Sequence, residues 1–289
     1  MMRALLKEAR PKQWSKNVLV FAAPGAAGVL SHSQPLARSL ITFVAFCLAS
    51  SGTYYWNDIL DVEADRVHPT KCKRPIASGA LSVGVARAVG TVLVLGGPAL
   101  AFAARWQAGV ACITYVVLTS SYSAIWKHIA VVDLVAVSAG FVLRAIAGAA
   151  ATNVRMSTWF VLCITFGSLF IVTGKRYAEL RELGDRPATA RATLEDYSMD
   201  FLRSVLSISC GATVVAYCIW AFESKELGGS TWPSYELSIV PMLIALLRYL
   251  LILEQGHGAA PEEIFAADRT LQILGVIWLA VFATGVYIK

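Results

Sequence analysis

Between Tyr54 and Arg74 the chain reads YYWNDILDVEADRVHPTKCKR, and this stretch holds the densest set of residue types able to do chemistry. On a helix of 3.6 residues per turn, the offsets of three and four between Asp58, Asp61 and Asp65 put their carboxylates on one face; Asn57, four before Asp61, joins them. Carboxylates on one stripe repel each other and lose hydration beside a bilayer, so a divalent cation or a cationic partner is needed to offset both effects. Oxygen-only ligands favour Mg²⁺, with Mn²⁺ as a substitute, shared with a phosphorylated substrate. Lys71, Lys73 and Arg74 follow at once and suit direct phosphate contacts. In a soluble protein the same pattern would describe the solvated end of an amphipathic helix.

A second cluster opens with Lys175-Arg176-Tyr177-Ala178-Glu179 and continues to Glu182 and Asp185. Glu179 and Glu182 can share a helix face, but Arg186 stands where a third acid would complete the stripe. An acid-rich pole at 57 to 65 and a base-rich pole at 175 to 176 suit a substrate with a Mg²⁺-bound diphosphate at one end and a bare phosphate at the other. Lys175 and Arg176 also suit plain anchoring at a membrane face. Between the clusters lie the short Tyr122-Ser-Ala-Ile-Trp-Lys127-His128 segment, Asp133 and Arg144. A charge at the bilayer centre costs at least about 2.5 to 3.5 kcal/mol, so Arg144 must face the protein interior and find an anion, either a carboxylate from another helix or a bound phosphate. Asp133 is about 16 Å of helix away, too far for direct pairing. His68 and His128 read as loop histidines.

Composition decides what must position these residues. Of 289 residues 57% are hydrophobic and 15% charged, with mean hydropathy +0.61, which excludes an ordinary soluble domain and describes an all-α, polytopic membrane protein. The net charge of +6 comes from bases beside apolar runs, which suits lipid headgroups or phosphates and no nucleic acid. No CxxC pair exists among six cysteines, so neither zinc nor a disulfide framework is indicated. Residues 1 to 13 alternate Met2, Leu5, Leu6 and Ala9 with Arg3, Lys7 and Arg10 and predict an amphipathic helix on the membrane surface rather than a removable signal peptide.

Measured against the length of a spanning helix, nine apolar runs stand out: about 17 to 31, which is short and can start in the interface, 38 to 60, 82 to 103, 106 to 125, 129 to 151, 157 to 174, 201 to 222, 235 to 253 and 270 to 288. Gly96-Gly97-Pro98 and Pro241 are expected kinks, and Pro24-Gly25 interrupts the first run. With the N-terminus in the cytoplasm, fifteen Lys and Arg fall inside, Arg186 and Arg191 among them, against five outside, Lys289 among them, so the positive-inside rule selects that orientation and leaves the C-terminus outside. Residues 61 to 81 and 175 to 200 become cytoplasmic active-site loops of a single transmembrane domain, 1 to 289. The outer connector 223 to 234, with Gly228-Gly229, carries no chemistry. Ala139, Gly140, Ala147, Gly148 and Ala151 allow close helix packing within the chain or in a homo-oligomer. A Walker A loop is imitated at Gly167 to Lys175, but six residues intervene in place of four and Arg176 replaces Ser or Thr.

N-D-x-x-D-x-x-x-D at 57 to 65, K-R-P-I-A-S-G at 73 to 79 and Y-S-x-x-x-K at 122 to 127 resemble the UbiA superfamily of intramembrane prenyltransferases over nearly the whole chain. The resemblance implies nine helices around a lipid-open cavity, with Mg²⁺ and diphosphate at its cytoplasmic mouth. R-P-x-Q-W-x-K-N at 10 to 17, D-x-E-A-D-R-x-H-P-T-K at 61 to 71, L-R-A-I-A-G at 143 to 148 and G-S-L-F-I-V-x-G-K-R-Y-A-E-L at 167 to 180 are similar to the branch formed by actinobacterial decaprenyl-phosphate phosphoribosyltransferases. That branch implies a Mg²⁺-dependent pentosyltransferase of the plasma membrane, moving 5-phosphoribose from phosphoribosyl pyrophosphate (PRPP) to decaprenyl phosphate on the way to an arabinose donor for the cell wall. Where a typical UbiA enzyme has a second acidic cluster, this chain has Lys175, Arg176, Tyr177 and Glu179, which implies that the lipid is no longer the diphosphate donor. On this reading Asn57, Asp58, Asp61 and Asp65 hold the metal; Lys73, Arg74, Tyr122, Lys127 and Arg144 contact substrate; and Lys175, Arg176, Tyr177 and Glu179 hold the ribose end or the acceptor phosphate. Lys16 and Asn17 join the same mouth. The rivals are a UbiA enzyme joining a prenyl diphosphate to an aromatic or haem acceptor, and a membrane transporter.

Overall fold

A computed structural model describes residues 1–183, 194, 196–228, 232–256 and 261–288. The acidic and basic side chains expected at Asp185, Arg186 and Arg191, the Gly229 connector and Lys289 lie outside the described residues. Every regular element among the described residues is helical. Seven helices are long and apolar enough to cross a membrane: Ser33–Leu60, Val83–Ala104, Val132–Thr152, Thr158–Glu182, Met199–Glu226, Ser234–Glu254 and Arg269–Tyr287. Their outward faces keep Val92, Leu95, Ile208 and Val276 exposed, the arrangement of helices whose solvent is lipid.

The chain forms two compact units, residues 1–127 with 140–155 and residues 128–139 with 156–289. In the first, α1 (Met2–Glu8) ends where Arg10 takes a left-handed conformation, φ 51°, ahead of Pro11. The first apolar run is not one spanning helix. It divides into a 3-10 stretch, Pro11–Phe21, a short α2 (Ala22–Ala26) and a 3-10 turn, Val29–Ser31, because Pro24, Gly25 and a left-handed Gly28 interrupt it. The long α3 (Ser33–Leu60) carries the first half of the acid stripe, α4 (Val62–Val67) the second, and a 3-10 turn covers Lys71–Lys73. Then come α5 (Val83–Ala104), capped by the Ser82 hydroxyl, and α6 (Trp106–Ala124), which fills the fourth run with a helix outside the seven spans. α5 runs on through Gly96-Gly97-Pro98. The seam between α3 and α5 depends on absent side chains: a Cβ on Gly52 would lie 2.6 Å from the Val94 backbone nitrogen. Tyr55, Ile59, Ile76, Leu81 and Ala86 form a core under the stripe, and Leu5 and Ala9 pack onto it.

α7 (Val132–Thr152) belongs by its first turns to the second unit and by the rest to the first. Its small residues are spent inside the chain: a Cβ on Gly148 would meet the Val20 carbonyl oxygen at 1.7 Å, and Ala147 and Ala151 are fully buried. The second unit continues with α8 (Thr158–Leu183), α9 (Met199–Gly228), a single turn α10 (Ser234–Leu237), α11 (Ile239–Glu254), α12 (Pro261–Ala267) and α13 (Arg269–Tyr287), the last capped by Asp268. Pro241 sits in the first turn of α11, where its missing N–H breaks no helical bond; the interruption falls at Ser238, before it.

Candidate active site

The acid stripe forms where α3 hands over to α4. Asp61 stands at the junction with φ −92° and ψ 7°, yet the i to i+4 ladder continues across it: Asp61 N–H donates to Asn57 at 3.0 Å and Asp65 N–H to Asp61 at 2.8 Å. The break divides the stripe. Asp58 and Asp65, both buried, share one arginine: Arg74 Nη1 donates to Asp58 Oδ1 at 3.0 Å and to Asp65 Oδ2 at 2.6 Å. Asp61, half-exposed, pairs with Lys127 at 2.8 Å. Asn57 joins the halves, its Nδ2 donating at 3.3 Å to both Asp58 Oδ1 and Asp61 Oδ2. A carboxylate only 2% exposed is untenable without compensation, and here arginine and lysine supply it.

Two partners come from a place the sequence did not single out. Arg10 Nη2 donates to both Asp58 oxygens, at 2.7 and 2.5 Å, with its guanidinium 4.7 Å from the Tyr54 ring centre. Its neighbour Glu8 is 1% exposed and lies against the Asp58 carboxylate, with no donor on either oxygen. Burial, and then the bond and the charge shared with Asp58, push its carboxyl up to about 8. Helix α1 is fixed there by two hydroxyls of α3: Tyr55 donates to Leu5 O and Ser51 to Ala9 O, each at 2.8 Å. The available signals were that Glu8 is the one acid in a basic amphipathic segment, and that Arg10 opens the R-P-x-Q-W-x-K-N motif.

The family model for the UbiA prenyltransferase family matches residues 18–274. The chain belongs to that family. Within UbiA, it is 42% identical to the decaprenyl-phosphate phosphoribosyltransferase of Corynebacterium glutamicum over 98% of this chain and 87% of that one. It is 41% identical to the enzyme of the same name from Mycobacterium tuberculosis H37Rv, over 99% and 95%. The fold is shared with a UbiA homologue from Archaeoglobus fulgidus bound to GPP and Mg²⁺, at TM-score 0.70 and 17% identity, covering 98% of both chains. The chain is thus a transferase of the UbiA fold.

The remaining candidate residues fall into two further groups. Arg144, buried in the first unit, pairs with neutral acceptors where an anion was expected: its Nε donates to Asn17 Oδ1 at 2.7 Å, Nη1 to Gly140 O at 2.7 Å and Nη2 to the Tyr115 hydroxyl at 3.0 Å. The Tyr115 and Phe141 rings lie 4.6 and 5.5 Å from its guanidinium carbon, so two aromatic faces supply the negative potential. Lys16, half-buried, hydrogen-bonds Gln13; Tyr122 is half-buried on the last turn of α6; Lys73 is exposed and its carbonyl accepts from Lys7 at 3.2 Å.

In the second unit Arg176 is 3% exposed and pairs at 3.2 Å with Asp133, which is fully buried, and at 2.8 Å with Glu179. Asp133 also accepts from the Tyr197 hydroxyl, which in turn takes the Val131 N–H at 2.6 Å; burial and the bond to Asp133 raise the Tyr197 hydroxyl above its ordinary range. Tyr177 is buried and donates to Glu254 at 2.9 Å, while Arg203 contacts both. Lys175 and Glu179 stay partly exposed, 3.8 Å apart.

Among the described residues no three Asp, Glu, His or Cys side chains converge as a ready metal cage. The donor chemistry nonetheless fits a hard cation. Asp58, Asp61, Asp65 and the Asn57 amide offer oxygen alone, and the undonated Glu8 oxygens beside Asp58 show that the site has more acceptors than protein donors.

Proposed function

We propose that this protein transfers 5-phosphoribose from PRPP to decaprenyl phosphate, releasing diphosphate, as a Mg²⁺-dependent enzyme that also accepts Mn²⁺. The observation that carries this reading is the similarity, near 40% and essentially full-length, to relatives named decaprenyl-phosphate phosphoribosyltransferase. The acid stripe held by exchangeable bases supports it.

Asn57, Asp58, Asp61 and Asp65 would hold the cation, which when bound stabilises charge on the departing diphosphate. Arg10, Arg74 and Lys127 now neutralise the stripe; phosphate oxygens are the anions these bases would take as the carboxylates turn to the metal. Lys73 and Tyr122 would join them in contacting substrate. Lys175 and Glu179, with Arg176 and Tyr177 behind them, serve the ribose 5-phosphate or the acceptor phosphate. Asn17 and Arg144 support the mouth from within, with Lys16 at its edge. A phosphate monoester anion attacks without a dedicated general base, and attack opposite the leaving group inverts the ribose C1. The surrounding frame is one domain of nine spans, α6 and the Pro11–Ser31 region adding to the seven. Its N-terminus and residues 61 to 81 and 175 to 200 face the cytoplasm, its C-terminus lies outside, and α1, which ends at Glu8 and not at residue 13, rests on the inner face of the plasma membrane.

The test is transfer of label from PRPP to polyprenyl phosphate by purified protein. Asp58→Ala and Asp61→Ala are expected to lose transfer while remaining folded; full activity in both would end the metal assignment. Efficient use of a prenyl diphosphate with an aromatic acceptor, and none of PRPP, would favour the ordinary UbiA reaction instead.

A further inference from the structure

With Glu8 ionised, the charges at the stripe do not balance without a further cation; without that cation Glu8 keeps its proton. Arg10, Arg74 and Lys127 match Asp58, Asp61 and Asp65 one for one, and Glu8 is left over. Among the described residues it is the one acid with both carboxyl oxygens buried and undonated. It neighbours the Asp58 carboxyl, and although Arg10 and Arg74 are close enough to act on it by charge, neither donates to its oxygens. The side chain is not stranded there by chance, since Tyr55 and Ser51 hold the backbone of α1 on either side of it.

We propose that Glu8 is a further ligand of the divalent cation, completing with Asp58 an oxygen pair that spans two segments of chain, so that cation binding also fastens helix α1 to α3. This rests on the metal reading of the Asp58 stripe. Two neighbouring carboxyls from different segments offer the hard-oxygen donors that Mg²⁺ and Mn²⁺ take, and the cation supplies the positive charge that an ionised Glu8 lacks.

Binding of Mn²⁺ alone to full-length protein in detergent, read from loss of the free-ion electron paramagnetic resonance signal, tests this without turnover. Glu8→Gln keeps the size and can donate to Asp58, so the fold is retained; it and Glu8→Ala are each expected to raise the Mn²⁺ Kd at least about tenfold. Wild-type affinity in Glu8→Gln would overturn the proposal, because a residue that only fills or pins the site tolerates the amide. Asp58→Asn separates the two readings: if it weakens Mn²⁺ and Glu8→Gln does not, Glu8 alone fails, and if neither does, the metal reading fails as well. Independently of any variant, Mg²⁺ should slow amide hydrogen exchange at residues 2 to 10 of the wild-type protein, and no change there would also overturn it.

Discussion

Asp133 and Arg176 form the most deeply buried ion pair among the described residues, 0% and 3% exposed, and their substitution separates a structural arginine from a substrate-binding one. Arg176→Met removes the cation and leaves Asp133 with only the Tyr197 hydroxyl and no charge partner. Removing one member of a buried pair costs about 3 to 5 kcal/mol. Asp133→Asn is expected at the lower edge, about 3 kcal/mol, because Glu179 still faces Arg176 at 2.8 Å. At about 2 °C per kcal/mol for a chain of this size, both variants should melt about 6 to 10 °C lower. The double variant Asp133→Asn with Arg176→Met leaves no orphaned charge and should recover about 2 kcal/mol relative to additivity. The assay is reversible unfolding in mixed micelles, with KM for PRPP and lipid phosphate measured on the folded fraction. Wild-type stability of Arg176→Met together with a raised KM for one substrate would refute the reasoning and make Arg176 a phosphate ligand.

Three further outcomes follow from local geometry. Without divalent cations, Glu8 binds its proton more tightly folded than unfolded, so its contribution is complete below pH 4.5 and falls as pH rises to about 8; thermal scans should decline across that window, and Glu8→Gln should flatten the decline. Tyr55→Phe loses the bond to Leu5 O, about 1 kcal/mol, and should speed hydrogen exchange in residues 2 to 9 while leaving that of α5 unchanged. Val131 is a half-exposed β-branched residue at φ 69°, so Val131→Gly should relieve about 1 to 3 kcal/mol of strain against about 0.5 to 1 of added chain entropy; a melting point more than about 2 °C below wild type would contradict this.

Local spacing made the stripe legible. Asp58, Asp61 and Asp65 lie within two turns, so the helical repeat alone puts them together, and the family motifs add the chemistry. What spacing does not carry is the partner from elsewhere in the chain. Arg10 lies 48 residues from Asp58, and Arg176 lies 43 from Asp133; a count of positive charges beside a membrane reads both as anchors. The kink at Asp61 escaped for another reason. Its hydrogen bonds persist across the junction, and only the dihedral angles differ from a continuous helix. The first apolar run was legible as short and interrupted, but not as a series of 3-10 and α turns: hydropathy counts residues, whereas Pro24, Gly25 and Gly28 decide how far one helix continues.

Arg144 and Arg74 show why composition alone does not separate a structural cation from one poised for a ligand. Both are arginines of the first unit, and both satisfy the rule that a charge in an apolar setting must be matched. Arg144 is matched by fixed neutral groups, the Asn17 amide, the Gly140 carbonyl, the Tyr115 hydroxyl and two ring faces, with no full charge among them. Displacing any of them would leave a buried cation under-solvated, so the network favours one arrangement and holds the Pro11–Phe21 stretch to α6 and α7. Arg74 is more exposed and is matched by two full charges, each of which another cation could take over. A base held this way can exchange partners at little net cost, because every step replaces one ion pair by another. The difference lies in the partners' chemistry, and it assigns rigidity to the depth of the unit and exchange to the stripe.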